Sequence, residues 1–115
     1  MKKIYVGGKE VPIKATGFTT ILFKRFTGND LMAMLTDNSR ETEKINDVLS
    51  LFYCMNVQAR EESIGDMFNA VSDVTDYYEF LNGLESKELY AEKTMTAIVE
   101  AWIQSSKQSS EPKNA

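Results

Sequence analysis

The chain of 115 residues is the size of one domain and too short for two independent hydrophobic cores. Its 43% of hydrophobic residues suffices for a folded core, which argues against general disorder. A formal net charge of −4 with scattered basic residues argues against nucleic-acid binding, which needs a concentrated cationic face. The sequence has no histidine, the commonest general base and transition-metal ligand, so we expect no enzyme activity.

Cys54 is the single cysteine and lies in the apolar run of residues 51–55. An intrachain disulfide is therefore excluded, and the setting favours a buried structural thiol over a reactive thiolate, which needs a cationic environment. The residues after Lys2 and Lys3 do not form the apolar part of a secretory signal, and no apolar stretch reaches the roughly 20 residues that span a bilayer. We expect a soluble protein in a reducing compartment, with no membrane partner.

A β-hairpin is predicted over residues 3–16. Its turn is Gly7-Gly8, a pair that readily adopts the positive φ angles of a tight turn. The second arm alternates apolar and polar residues, so one face is expected to pack on a core. Pro12 cannot donate a ladder hydrogen bond, which marks this arm as an edge.

Helical periodicity begins at Phe18, where apolar residues recur every three or four positions. Thr19 or Thr20 is the predicted N-cap of this first helix. Gly28 is predicted to end it, because glycine adopts the left-handed conformation that closes many helices.

The next two helices differ in length. A short one over residues 31–35 is predicted to be N-capped at Asn29-Asp30 and ended by the polar residues 37–39. A long one over residues 45–59 is apolar around most of its circumference, which predicts that it is the central helix of the fold.

Three further helices are predicted in the C-terminal half. The first two are N-capped by Ser63 and Asp73, and the last begins near Ser86 and carries an apolar stripe to Trp102. The composition then becomes polar and loses its periodicity, so residues 105–115 are predicted to be a disordered polar tail. The expected fold is mainly α with a small N-terminal β-hairpin (α+β) and a compact multi-helix body, forming a single domain over residues 1–104.

Asp73, Asp76 and Glu79 are the densest acidic group, and at helical spacing they can in principle hold a hard cation. The alternative is structural: Asp73 caps the helix, and acids in the first turn complement its dipole. We favour the structural interpretation, because a calcium or magnesium site draws on more oxygen ligands. No metal or other cofactor is expected.

The segment between residues 18 and 35 is richer in large apolar side chains than two short helices easily bury. Exposed apolar patches mark protein partners, although core packing accounts for the same pattern. On exposure arguments alone, the candidate partner-binding residues are Phe18, Phe23, Met32, Met34 and Leu35.

Four stretches of sequence and a final helix follow one another in an order that resembles a known protein family. They are KIYVGGKEVPIK at residues 3–14, TTILFKRFTGND at residues 19–30, LFYCMNVQA at residues 51–59, YYEFLN at residues 77–82 and a helix ending at Trp102. In this order, residues 2–104 resemble the tail assembly chaperones of long-tailed (siphovirus-type) phages and prophages of Gram-positive bacteria. The motifs are patterns of residue type, so the resemblance assigns no individual site residue.

The resemblance implies a small N-terminal sheet followed by a helical body. It further implies a chaperone that binds the tape measure protein, and possibly the tail tube protein, while the tail assembles. Such proteins tend to self-associate, act in the cytoplasm of the bacterial host and are absent from the mature virion. The alternatives are another morphogenesis component, such as a head-tail joining or tail-completion protein, or a metal-dependent enzyme that uses Asp73, Asp76 and Glu79.

Overall fold

The computed structural model describes residues 2–36 and 41–110, and the side chains of residues 35, 36, 41–43 and 106–110 lie outside this description. Within these residues a two-stranded hairpin precedes a helical body, so the predicted α+β class is confirmed. The elements are β1 (Lys2–Val6), β2 (Lys9–Ile13), α1 (Thr19–Thr27), α2 (Leu31–Thr36), α3 (Glu41–Arg60), α4 (Ile64–Ala70), α5 (Val74–Asn82), α6 (Ser86–Leu89) and α7 (Glu92–Ser110).

The hairpin pairs β1 and β2 in antiparallel register, from Lys2 opposite Ile13 to Val6 opposite Lys9. Its two-residue turn has φ of 59° at Gly7 and 87° at Gly8, values that side chains disfavour. One face of the hairpin is buried in the core and the other is polar. The buried residues are Ile4, Val6, Val11 and Ile13.

The second strand lies against α3. The Asn56 side-chain amide donates to the Pro12 carbonyl at 3.0 Å, and the Lys14 amide donates to the Met55 carbonyl at 3.0 Å. Pro12 therefore occupies a position whose backbone faces the helix rather than β1, and its missing N–H costs the hairpin no ladder hydrogen bond.

Helix α3 is the centre of the fold, as predicted. Every residue from 48 to 58 is buried, and its neighbours come from the hairpin, α1, α4 and α7. Its buried polar groups have partners: the Thr19 hydroxyl donates to Gln58 Oε1, and Gln58 Nε2 donates to Thr16 Oγ1 at 2.9 Å. Among the described side chains, no buried nitrogen or oxygen lacks a hydrogen-bond partner.

Three of the predicted N-caps are confirmed by hydrogen bonds. Asp30 accepts from the Met32 amide at 2.9 Å, Ser63 from the Asp66 amide at 3.0 Å, and Asp73 from the Thr75 amide at 2.9 Å. Gly28 closes α1 with φ of 81°, also as predicted. The predicted end of α2 at residues 37–39 lies outside the described residues.

The N-cap predicted for α1 is wrong. The cap position is Phe18, which makes no side-chain cap hydrogen bond, and Thr19 is the first helical residue. The Thr19 hydroxyl accepts from the Thr16 amide at 2.9 Å and donates to Gln58, so it ties the preceding loop to α3 instead of capping the helix.

The single final helix predicted from Ser86 is also wrong, because the chain forms α6 and α7 with a break at residues 90–91. Leu89 and Ile98 are both buried. Ile98 follows Leu89 by nine positions, so in one continuous helix the two side chains would point about 180° apart. Both side chains can be buried in the core only because the helix breaks between them. The Thr94 hydroxyl donates to the Glu88 carbonyl at 2.7 Å and stabilises the bend.

Residues 105–115 were predicted to be a disordered tail, and the structure continues α7 through Ser110. The Ser105 hydroxyl donates to the Ala15 carbonyl at 2.7 Å, and this bond fastens the polar end of the helix beside the hairpin. Composition alone gave no sign of this contact. Residues 111–115 lie outside the described residues.

Candidate partner-binding surface

Two of the five residues predicted to be exposed lie in the core. Phe23 is 0% exposed and Met34 is 7% exposed. Phe23 lies on the side of α1 that packs on α3, and Met34 shares the buried side of α2 with Leu31. The prediction that Phe23 and Met34 bind a partner through exposed side chains is therefore wrong.

The remaining predicted residues lie at separate places. Phe18 is half-buried and packs on α4, whereas Met32 is 52% exposed on the solvent side of α2. The side chain of Leu35 lies outside the described residues. The five predicted residues therefore do not form one surface.

A different apolar surface forms where α1 meets α4. We call it the α1–α4 seam, and it consists of Phe18, Ile21, Arg25, Ile64 and Phe68. The Phe18 and Phe68 ring centroids are 5.6 Å apart, and Arg25 Cζ lies 4.0 Å from the Phe68 centroid. Phe68 thus joins the two helices through one aromatic and one cation–π contact.

The two isoleucines give the seam its solvent-exposed apolar area. Ile21 follows Phe18 by three residues and precedes Arg25 by four, so all three share a helical face. Ile64 shares a face of α4 with Phe68 for the same reason. Ile21 is 54% exposed and Ile64 is 49% exposed, so both add apolar surface on the helical faces that carry Phe18 and Phe68.

No protein-family model, curated protein or solved structure matches this chain. The seam therefore has to be interpreted from its own geometry. Its exposed groups are aliphatic and aromatic carbon with one guanidinium beside them, which suits the apolar face of a partner flanked by an acidic side chain.

The acidic residues at and after the start of α5 are Asp73, Asp76 and Glu79. Among the described residues, no cluster of three or more histidine, cysteine, aspartate or glutamate side chains is placed to hold a metal ion. Asp73 instead accepts from the backbone amide of Thr75, and this hydrogen bond lowers the pKa of the Asp73 carboxyl. The structural interpretation of Asp73 as an N-cap is confirmed.

Cys54 is buried in α3, as predicted, and burial raises the pKa of its thiol far above the usual value. A thiol held in its protonated form is a poor nucleophile. Of the helices that the structure describes, none has both the length and the apolar character needed to cross a bilayer.

Ile21 and Ile64 were missed because sequence periodicity shows that a helix has an apolar face without showing which face its neighbours cover. From the N-cap of α1 onward, apolar residues occupy positions 18, 21, 22, 23 and 26, which span about 200° of the helix circumference. The structure covers Leu22 and Phe23 with α3 and leaves Ile21 outside. The sequence could have indicated that Ile21 is exposed, because Ile21 lies on the side of α1 opposite Phe23.

Proposed function

We propose that this protein is a phage tail assembly chaperone that binds the tape measure protein and keeps it soluble while the tail tube assembles. The observation that carries the proposal is the α1–α4 seam, an exposed apolar surface beside a firmly packed core. The family resemblance supplies the identity of the partner. The small sheet followed by a helical body agrees with the architecture that the resemblance implies.

A seam of this kind suits an amphipathic helix as its ligand. A partner helix presents apolar side chains every three or four residues, and Ile21 and Ile64 offer exposed aliphatic groups on two adjacent helices. Covering them removes apolar surface from water on both proteins, which is the main driving force for such association. Arg25 adds a positive charge at the edge of the same surface.

The small size of the seam fits a chaperone that must later leave. A stable interface buries about 800 Å² on each partner, which a few exposed side chains do not reach. Single contacts are therefore weak and reversible. A long helical partner offers many such sites, so many copies can shield it together and dissociate as the tube replaces them.

The test is co-expression with the product of a long, coiled-coil-rich neighbouring gene, followed by affinity capture and size-exclusion chromatography. We expect the long protein to become soluble and to elute with many copies of this chain. The double variant Ile21→Glu/Ile64→Glu should lose most of the captured partner while the chaperone remains folded, because both side chains are largely in solvent.

Ile45→Glu is the matched control. Ile45 is also an exposed isoleucine, but it lies near the start of α3, about 20 Å along the helix from the Gln58 side chain that contacts α1. Normal capture by the double variant would show that the seam is not the binding surface. Precipitation of the long protein despite wild-type chaperone, together with this chain in purified particles, would replace the chaperone function with that of a virion component.

A further inference from the structure

A groove runs between the outer edge of β1 and helix α7, and its lining shares no residue with the α1–α4 seam. Its volume is about 280 Å³. One wall is the strand, with Lys2, Lys3 and Ile4, and the other is the helix, with Ala97, Ala101 and Gln104. The alanines leave room above the helix, so a chain segment can approach β1 closely.

The edge of β1 that faces this groove has backbone groups available for pairing. Val6 and Lys9 close the two-residue turn as a hydrogen-bonded pair, so hydrogen-bonded and non-hydrogen-bonded pairs alternate from there along the hairpin. Lys3 and Tyr5 fall at the non-hydrogen-bonded positions, and their N–H and C=O groups point away from β2. Within residues 2–36 and 41–110, no backbone hydrogen bond from another element reaches Lys3 or Tyr5.

The charge around the groove is mainly positive. A second cavity of about 390 Å³ shares Lys2, Ala101 and Gln104 with the first and extends it past Lys14. Lys3 forms an ion pair with Glu10 at 3.0 Å, but no carboxylate of the described residues lies within 4.0 Å of the Lys2 or Lys14 ammonium. Glu100 is the one acidic residue of the described lining, so the two free lysines dominate its potential.

We propose that the β1–α7 groove binds an extended acidic segment of a partner protein by strand addition to β1. The backbone groups of Lys3 and Tyr5 pair with the segment, as in other cases where a peptide adds to a sheet edge. Alternate side chains of the segment point toward Ala97 and Ala101, and acidic side chains reach Lys2 and Lys14. This site is separate from the α1–α4 seam and does not depend on the chaperone function.

Charge argues for an acidic partner over a second copy of this chain. Antiparallel pairing of two β1 strands centred on Ile4 would place Lys3 opposite Tyr5 and Lys2 opposite Val6 of the other copy. Strand β1 has no acidic residue, so neither lysine would gain an opposite charge across the sheet. Lysines on an edge strand also discourage indiscriminate pairing. Acidic side chains of an added strand would form ion pairs with the same lysines, so the lysines would favour this partner.

The test is a titration of the isotope-labelled full chain, followed by backbone amide NMR. The probe is a blocked heptapeptide of alternating glutamate and valine, and the control probe replaces glutamate with lysine. We expect saturable shifts at the Lys3 and Tyr5 amides and along residues 97–104 with the acidic probe alone. Raising the salt concentration should weaken the binding.

Two variants separate the contributions of charge and backbone. Lys2→Glu/Lys14→Glu should weaken binding at least tenfold, whereas Lys24→Glu/Lys87→Glu, which changes net charge equally at exposed sites elsewhere, should not. Tyr5→Pro removes one N–H that points away from β2, at the same kind of non-hydrogen-bonded position that Pro12 occupies in β2. We expect it to weaken binding about tenfold, which corresponds to the loss of one hydrogen bond.

Absence of shifts at Lys3 and Tyr5 with millimolar acidic probe would overturn the proposal. Equal binding of the lysine probe would overturn its charge selectivity. Concentration-dependent shifts at these amides without any peptide, together with a dimer mass in solution, would assign the edge to a second copy of the chain. Each result is read from the wild-type protein, so the proposal remains testable if Tyr5→Pro fails to fold.

Discussion

Helices α3 and α5 are both rich in aromatic and aliphatic residues, yet they occupy opposite places in the fold. All residues from 48 to 58 of α3 are buried, whereas none of the nine residues of α5, all of them described, is buried. Helix α5 packs against the rest of the protein through the aromatic rings of Tyr77 and Phe80. Tyr77 lies 5.0 Å from Phe26 between ring centroids, and Phe80 lies 5.3 Å from Phe52.

The difference shows that apolar content alone does not determine what a helix does in this protein. In α3 the side chains fill the core on every side, so their loss leaves cavities. In α5, Val74 and Tyr78 remain exposed while Tyr77 and Phe80 hold the helix in place. The stability of the fold should therefore depend on α3, and the outer helices should tolerate changes on their exposed faces.

The largest effect is expected for Phe52→Ala. The Phe52 ring is fully buried and packs edge-on against Phe80, so its removal leaves a cavity in the centre of the core. We expect the free energy of unfolding to fall by about 3–5 kcal/mol. Urea denaturation followed by Trp102 fluorescence measures it. A loss below about 1 kcal/mol would show that the core around α3 collapses readily into the space, so that α3 would not dominate the stability of the fold.

A smaller effect is expected for Tyr53→Phe. The Tyr53 hydroxyl donates to the Ala70 carbonyl at 2.7 Å and accepts from Arg60 Nη2 at 3.2 Å. Its loss leaves a carbonyl at the end of α4 without this donor, at a cost of about 1–3 kcal/mol. Urea denaturation again provides the value. An unchanged midpoint would mean that water replaces the hydroxyl.

Ionisation of the same hydroxyl should lower the free energy of unfolding at alkaline pH. Burial raises the pKa of the Tyr53 phenol above its usual value, and the nearby Arg60 partly opposes this. The unfolded chain therefore ionises first, and stability that is full below a pH of about 10 falls as the pH rises further. The decline should be shallower in Tyr53→Phe, although Tyr77, whose pKa burial also raises, retains part of it. Equal slopes in both proteins would contradict this assignment.

The smallest effect is expected for Tyr78→Ser on α5. Tyr78 is the most exposed of the large apolar side chains that the structure describes, and its loss should change the free energy of unfolding by less than about 0.5 kcal/mol. The midpoints of thermal unfolding of Tyr78→Ser, Phe52→Ala and the wild-type protein provide the comparison. A loss above about 2 kcal/mol would show that α5 supports the core more than its exposure suggests.

The sequence predicted the elements whose signal is local. The Gly7-Gly8 turn, the Asp30, Ser63 and Asp73 caps, and the fully apolar α3 each depend on neighbouring residues, and each was predicted correctly. The break between α6 and α7 was missed, although the positions of Leu89 and Ile98 already conflict in one helix. The Ser105 contact with Ala15 joins residues 90 positions apart, and no periodicity reports it.

Less of the candidate surface could be predicted. Burial of Phe23 and Met34 depends on how α1 and α2 are placed on α3, which a single sequence does not specify. Phe18 belongs to the α1–α4 seam, but Phe68 and Ile64 come from a helix more than forty residues away in the chain. An exposed surface built from two helices becomes visible only when their packing is known.

Pro12 makes the two edges of the hairpin unequal. The outer edge of β2 is closed, because Pro12 has no N–H to offer and Asn56 already occupies its carbonyl. A strand can therefore add only beside β1, and the sheet cannot lengthen in both directions. Two chains that pair through β1 would each use their one open edge, so this pairing would end at a dimer. A protein with this asymmetry can present an open strand edge at high concentration without seeding a fibre.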